Sequence, residues 1–306
     1  MERGNCRRLR IAGAATVVSI IGVSILASCG FARPSQSRVG VAPVALGADT
    51  VSFASGSGST IHAWFARGDS GAGAVLLLHG VGDDRRAMIE RARFLHAAGY
   101  SVLLPDFQGH GESAGAHVTY GALESLDAAA ALEFLHQRAP GERAGVIGVS
   151  MGGAAALLGP SGPLTADALV LESVYPTITD AVRDHLRAWL GPIGPAFTSP
   201  LISYVGREIG VSAAALRPLD RIGTVTAPIL IAAGTKDRYT PMTETHALYA
   251  SAPSPKELWM VDGAGHVDLH AFAPAEYERR IGSFLSRNLR GVRATAHLAP
   301  ATGTRG

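Results

Sequence analysis

Between residues 74 and 263 the chain alternates short, largely apolar runs with longer stretches whose apolar residues recur every three or four positions. The runs are AVLLLHG (74–80), SVLLPD (101–106), AGVIGVS (144–150), DALVLES (167–173), PILIAAG (228–234) and KELWMVDG (256–263). Runs of that length without alternation suit strands covered on both faces. Helical patterns fall between and after them, at 85–98, 120–138, 151–158, 241–250 and 274–289. Residues 49–54 and 60–66 alternate around a GSGS turn and predict an opening hairpin. Together they predict an α/β fold with a mostly parallel central sheet of about eight strands and helices on both faces. One interval breaks the rhythm. Residues 174–227 are far longer than a crossover needs, and they carry Trp189, Phe197 and Tyr204 with prolines at 192, 195 and 200. A small helical cap over the carboxyl edge of the sheet is the expectation, with a surface excursion of helices as the alternative.

The amino terminus reads as an address. Arg7, Arg8 and Arg10 precede an apolar stretch at 11–27, which closes on Leu26-Ala27-Ser28-Cys29. That last sequence resembles the lipobox of bacterial lipoproteins. The resemblance implies a signal peptide at 1–28, cleavage before Cys29, lipidation of its sulfur and new amino group, and a membrane anchor outside the cytoplasm. A single uncleaved membrane-spanning anchor is the alternative, since the apolar stretch approaches the length that crosses a bilayer. A cleaved ordinary signal peptide is a further one, and the export route stays open. Residues 29–48, rich in Pro, Ser and Gly without amphipathic period, read as a lipidated tether, and 291–306 as a disordered tail. What remains between these ends is one domain at 49–290.

Composition narrows the picture. The only other cysteine, Cys6, lies in the segment to be removed, so the mature chain would have no internal disulfide. A net charge of +2 with scattered Lys and Arg leaves no basic stripe, which argues against nucleic acid as a partner.

The chemistry centres on a serine. Gly148-Val149-Ser150-Met151-Gly152 follows an apolar run and precedes a stretch of small residues, so Ser150 sits where a strand turns sharply into a helix. A tight turn of that kind exposes the hydroxyl and requires glycine where side chains would collide. With 37 glycines in the chain, the pattern alone says little, and Gly111-Glu112-Ser113-Ala114-Gly115 matches it too. Ser113 has neither a strand before it nor a helix after it. A serine nucleophile needs a base, and the base an orienting carboxylate. His266 follows the last strand through a Gly-rich turn and is preferred over His270. His79 and His110 read as loop-stabilising residues. Asp237, after the strand PILIAAG, is preferred as the carboxylate, with Glu172 as runner-up, while Asp262 and Asp268 read as loop-capping groups. An oxyanion hole would combine the backbone N–H of Met151 with that of Val81, between Gly80 and Gly82.

In the order LLLHGVG, DFQGHGES, GVSMGG, GTKDRYTP and GAGHVDL, these segments resemble the α/β-hydrolase superfamily over residues 50–290. The resemblance implies the nucleophile, acid and base order Ser150, Asp237, His266, and a serine hydrolase of the esterase, thioesterase or serine-aminopeptidase branches. It implies no metal or organic cofactor. Gln108 stands where the family often has Arg. A carboxylic-ester hydrolase working on a small-molecule ester or acyl substrate through an acyl-enzyme is the expectation. An amidase or aminopeptidase, a thioesterase, and a catalytically silent envelope binding module are the alternatives.

Overall fold

The computed structural model describes residues 32–290. The expected signal peptide, Cys29 and the tail from 291 lie outside them. Among the described residues no helix is long and apolar enough to cross a membrane.

The chain opens with a two-residue strand β1 (Ser35–Gln36) and a hairpin, β2 (Asp49–Ala54) and β3 (Thr60–Ala66). The alternating core follows as β4 (Ala74–Leu78), helix α1 (Ile89–Ala97), β5 (Ser101–Pro105), the short β6 (His110–Gly111), α2 (Ala122–Arg138), β7 (Ala144–Val149), α3 (Met151–Leu157) and β8 (Ala168–Glu172). The insertion contains α4 (Ile178–Leu190), a 3₁₀ stretch (Gly191–Phe197), α5 (Thr198–Glu208) and α6 (Pro218–Ile222). The chain then returns through β9 (Ile229–Gly234), α7 (Met242–Ser251), β10 (Lys256–Val261), α8 (Leu269–Phe272) and α9 (Pro274–Leu289).

Eight strands form one sheet in the order β10-β9-β8-β7-β4-β5-β3-β2, and β3 alone runs against the others. The apolar runs predict this arrangement because the central strands β4, β5, β7, β8 and β9 bury both faces. In β4, Leu76 and Leu78 join one core with Leu132 and Leu135 of α2 and Ala154 of α3. Val75 and Leu77 join the opposite core with Leu95 of α1 and Ile281, Phe284 and Leu285 of α9. A period of two divides one strand between two helix layers.

The same order positions the site. From β4 the chain moves outward to β5 on one side and then crosses to β7 on the other, so the loops leaving β4 and β7 diverge at a topological switch point. Leu78 pairs with Gly148, which brings the ends of those two strands side by side.

The segment 32–48, expected as a free tether, is instead fastened to the domain. β1 pairs in parallel with β6, Ser35 N–H donates to Gly109 C=O at 2.7 Å, and Val118 N–H donates to Ala32 C=O at 3.0 Å. Leu46 is buried in the second core. A two-residue strand has no amphipathic period, and its serines find partners on neighbouring loops, so the composition reads as linker while the backbone is held.

Candidate active site

Ser150 is the residue between β7 and α3, with φ 49° and ψ −112°. This is a positive φ for a non-glycine residue, a conformation that costs on the order of 1–3 kcal/mol and persists only where surroundings enforce it. Its N–H donates to Glu172 C=O of β8 at 2.7 Å. The glycines are dictated by contact. A Cβ on Gly152 would lie 2.4 Å from Leu78 O, and one on Gly148 would lie 2.6 Å from Gly153 Cα. The turn is therefore pressed against the end of β4, and only hydrogen fits.

The competing serine has a structural duty. Ser113 is buried, its Oγ donates to Asp106 C=O at 2.9 Å, and it accepts the His62 N–H at 2.9 Å. With both its donor and an acceptor site engaged inside the protein, that hydroxyl is not presented to a substrate.

The turns after β9 and β10 are packed against each other. A Cβ on Gly234 would meet Ala264 O at 2.2 Å, and Lys236 N–H donates to Ala264 C=O at 2.8 Å. This closeness brings Asp237 and His266 together. His266 Nδ1 lies 2.8 Å from Asp237 Oδ2, so Nδ1–H donates to the carboxylate and Nε2 is left as the basic nitrogen. Asp237 also accepts Thr240 Oγ1–H at 2.6 Å, Tyr239 N–H at 2.8 Å and Thr240 N–H at 2.9 Å. Burial pushes its pKa up, but the hydrogen bonds from His266 and Thr240 outweigh burial and hold it below the usual carboxylate value.

The runner-up acid is committed elsewhere. Glu172 accepts from Arg91 Nη2 at 2.7 Å and from the Tyr277 hydroxyl, in a buried network between β8, α1 and α9. His270 meets Glu278 at 3.1 Å and stacks on Phe94, on that same outer side. Asp268 caps α8 through His270 N–H and pairs with Arg91 at 2.9 Å, and Asp262 accepts from Thr235 Oγ1. His79 is fully buried. Desolvation, helped by neighbouring His110, lowers its pKa to about 3, so it is neutral; Nδ1–H donates to Gly80 C=O at 2.7 Å and Nε2 accepts Phe107 N–H. The ring thus ties the loop after β4 to the loop after β5. Gln108, in the place of the family's frequent Arg, donates from Nε2 to His117 C=O and Glu124.

Ser150, His266, Val81 and Met151 line one cavity of about 700 Å³, with Asp237 behind His266. Among the described residues, neither the Val81 nor the Met151 amide donates to a backbone carbonyl. No hydrogen bond joins Ser150 Oγ to His266. Such contacts are often long until a substrate is bound. The insertion supplies much of the apolar wall: Ile178, Val182 and Leu186 of α4, Leu201 and Val205 of α5, and Leu216. The insertion is therefore a helical cap over the carboxyl edge.

Three parts of the site were not foreseen from sequence. His185 of the cap packs against Tyr239 at 4.3 Å with the rings tilted by 33°, and the Tyr239 ring stands edge-on to His266 at 5.6 Å. Burial lowers the His185 pKa. Ser173, also at positive φ (49°), lines the cavity with a buried hydroxyl that has no hydrogen-bond partner among the described residues. Arg33, Pro34 and Ser35 of the amino-terminal segment complete the wall. The only sequence signal for any of these was the Thr-Pro pair after Asp237, which marks a turn that frees its carboxylate.

A mostly parallel sheet with a capped carboxyl edge and a strained serine after a central strand defines an α/β hydrolase. The chain belongs to the α/β-hydrolase superfamily: the family described as Serine aminopeptidase, S33, matches residues 69–202. An uncharacterized protein of Mycobacterium tuberculosis is 33% identical over 208 residues, covering 67% of each chain. The alpha/beta hydrolase domain-containing protein 17C of Xenopus tropicalis is 37% identical over 71 residues, 23% of this chain and 22% of that one. Among solved structures, the esterase Pf2001 of Pyrococcus furiosus is similar at a TM-score of 0.69 and 25% identity, covering 85% of this chain and 100% of that one.

Proposed function

We propose that the protein is a serine hydrolase of carboxylic esters, with Ser150 as nucleophile, His266 as base and Asp237 as the group that orients and charges the base. The observation that carries this reading is the 2.8 Å contact between His266 Nδ1 and Asp237 Oδ2, beside a cavity shared by His266 and the strained Ser150. In the reaction, His266 Nε2 takes the Ser150 proton as Oγ attacks the ester carbonyl. The oxyanion is met by the Val81 and Met151 amides. His266 then gives its proton to the leaving alcohol, and water, activated by the same nitrogen, releases the acid from the acyl-enzyme.

Ester is favoured over amide by the cap. An aminopeptidase needs a carboxylate near the substrate's amine, and among the described residues the cap contributes apolar side chains and His185 to the wall but no acid. The other acids on the wall, Asp83 and Asp268, belong to the loops, and Asp268 is already paired with Arg91. A panel of p-nitrophenyl esters of rising chain length, run against aminoacyl amides, tests the reading. Turnover of esters that vanishes in Ser150→Ala supports it, and turnover of the amides alone sinks it.

The cell envelope is the proposed location, through lipidation at Cys29. Mass spectrometry of the amino-terminal peptide checks this, and an unmodified Cys29 excludes lipidation.

A further inference from the structure

The amino-terminal segment enters the domain at the rim of the active-site cavity, not on its far side. Arg33, Pro34 and Ser35 line the cavity, and Ser35 Oγ donates to Gly82 C=O at 3.0 Å, on the loop that carries Val81. Ala32 is held by Val118 N–H. Cys29 lies three residues before Ala32, and the apolar stretch ends at residue 27. At about 3.5 Å per extended residue, three residues span only about 10 Å. With the anchor proposed above at Cys29, the bilayer begins close to the cavity mouth.

That mouth carries exposed apolar side chains, with the exposed carboxylates of Asp83 and Asp268 beside them. Val81, Trp189 and Val267 line the cavity and are also exposed, Trp189 by 54%. Just outside it, Leu190 and Ile193 extend the patch along the end of α4 and the 3₁₀ stretch, and Ile193 is 67% exposed. Contiguous exposed apolar side chains mark a docking surface, and an exposed tryptophan suits the boundary between headgroups and acyl chains. The exposed Arg33 and Arg187 supply cations beside the patch for anionic headgroups.

We infer that the cavity mouth, rimmed by Trp189, Leu190, Ile193 and Val267, docks on the bilayer to which the amino-terminal chain leads. The ester substrate is accordingly one whose acyl chain resides in that bilayer and slides into the apolar cavity without crossing water. The docking geometry stands on the surface alone, whereas the substrate class rests on the ester-hydrolase reading above.

The test uses full-length protein reconstituted in phosphatidylglycerol and phosphatidylethanolamine vesicles, with and without bromine on the acyl chains. Trp64 and Trp259 are buried, so Trp189 reports the surface, and Trp189→Phe isolates its emission. Brominated vesicles should quench about half of the Trp189 emission, as for an indole about 5–10 Å into the headgroup and acyl boundary. Equal emission in both vesicles overturns the proposal. A Trp189 shift that follows protein concentration and ignores bromine places a second copy on the patch and overturns it as well. Leu190→Ser with Ile193→Ser should lower turnover of a bilayer-resident long-chain ester about tenfold relative to a water-soluble butyrate ester, the scale of one decade per 1.4 kcal/mol of lost membrane contact. An unchanged ratio counts against the substrate class. Because quenching needs no turnover, its result is independent of the hydrolase reading. An inactive protein with quenched Trp189 keeps the docking and removes only the chemistry.

Discussion

Asp237 Oδ2 accepts two hydrogen bonds, from His266 Nδ1 at 2.8 Å and from Thr240 Oγ1 at 2.6 Å. The threonine fixes the carboxylate, and the carboxylate fixes the imidazole tautomer. Asp237→Asn keeps an oxygen for the Tyr239 and Thr240 amides, so the fold should survive. It replaces a charged acceptor with a neutral amide that holds the wrong tautomer. The expected cost is about 10⁴-fold in kcat for ester hydrolysis, the size of effect that loss of this carboxylate has in serine hydrolases. Steady-state kinetics beside circular dichroism check it, and a loss below tenfold would remove Asp237 from its proposed role.

Ser113→Ala separates the two serine turns. The change strands the His62 N–H and the Asp106 carbonyl, both buried partners of that hydroxyl. Stability should fall by about 1–3 kcal/mol in denaturant unfolding, with kcat retained in the folded fraction. Loss of kcat at unchanged stability would mean that the nucleophile had been misassigned.

How much of this was legible in the chain depends on what each residue does. The central strands β4, β5, β7, β8 and β9 were legible because each is buried on both faces, and Ser150 because contact with Leu78 O and Gly153 leaves room only for hydrogen at Gly152 and Gly148. The length and apolar character of the cap were visible, but periodicity does not say which faces of α4 and α5 line the cavity. The docked segment at 32–48 was not visible, since Ser35 and Ser37 are held by partners on loops more than forty residues away. The contact of His185 with Tyr239 was equally hidden, because it joins the cap to the turn after β9, residues that only the tertiary fold brings together.

Cap and core are also joined by acids. Glu244 of α7 is met by Arg183 of α4 at 2.8 Å, while its other oxygen is buried without a donor beside Asp184. Burial, then the neighbouring Asp184, raise the Glu244 pKa from 4.5 to about 9, so the two carboxyl groups share a proton at neutral pH. A raised carboxyl pKa means that the folded state binds a proton the unfolded state has released, and stability from this group falls as pH rises from 4.5 to about 9. Glu244→Gln retains a donor without a titratable proton. The difference in Tm, variant minus wild type, should therefore grow steadily with pH across that window, and a difference independent of pH would contradict the shared proton.

Acyl selectivity should reside in the cap. Val205 of α5 faces the cavity, so Val205→Phe reduces the space available to a long acyl chain. The ratio of kcat/KM for octanoate over acetate esters should fall about tenfold or more, since a methylene in such a pocket is worth about 1–3 kcal/mol. An unchanged ratio would place the acyl chain elsewhere.

The central claim is that Ser150 is the nucleophile, and a fluorophosphonate probe tests it most directly. Wild-type protein should be labelled on Ser150, Ser113→Ala labelled equally, and Ser150→Ala not at all. Labelling that persists in Ser150→Ala, or none in the folded wild type, would contradict the account.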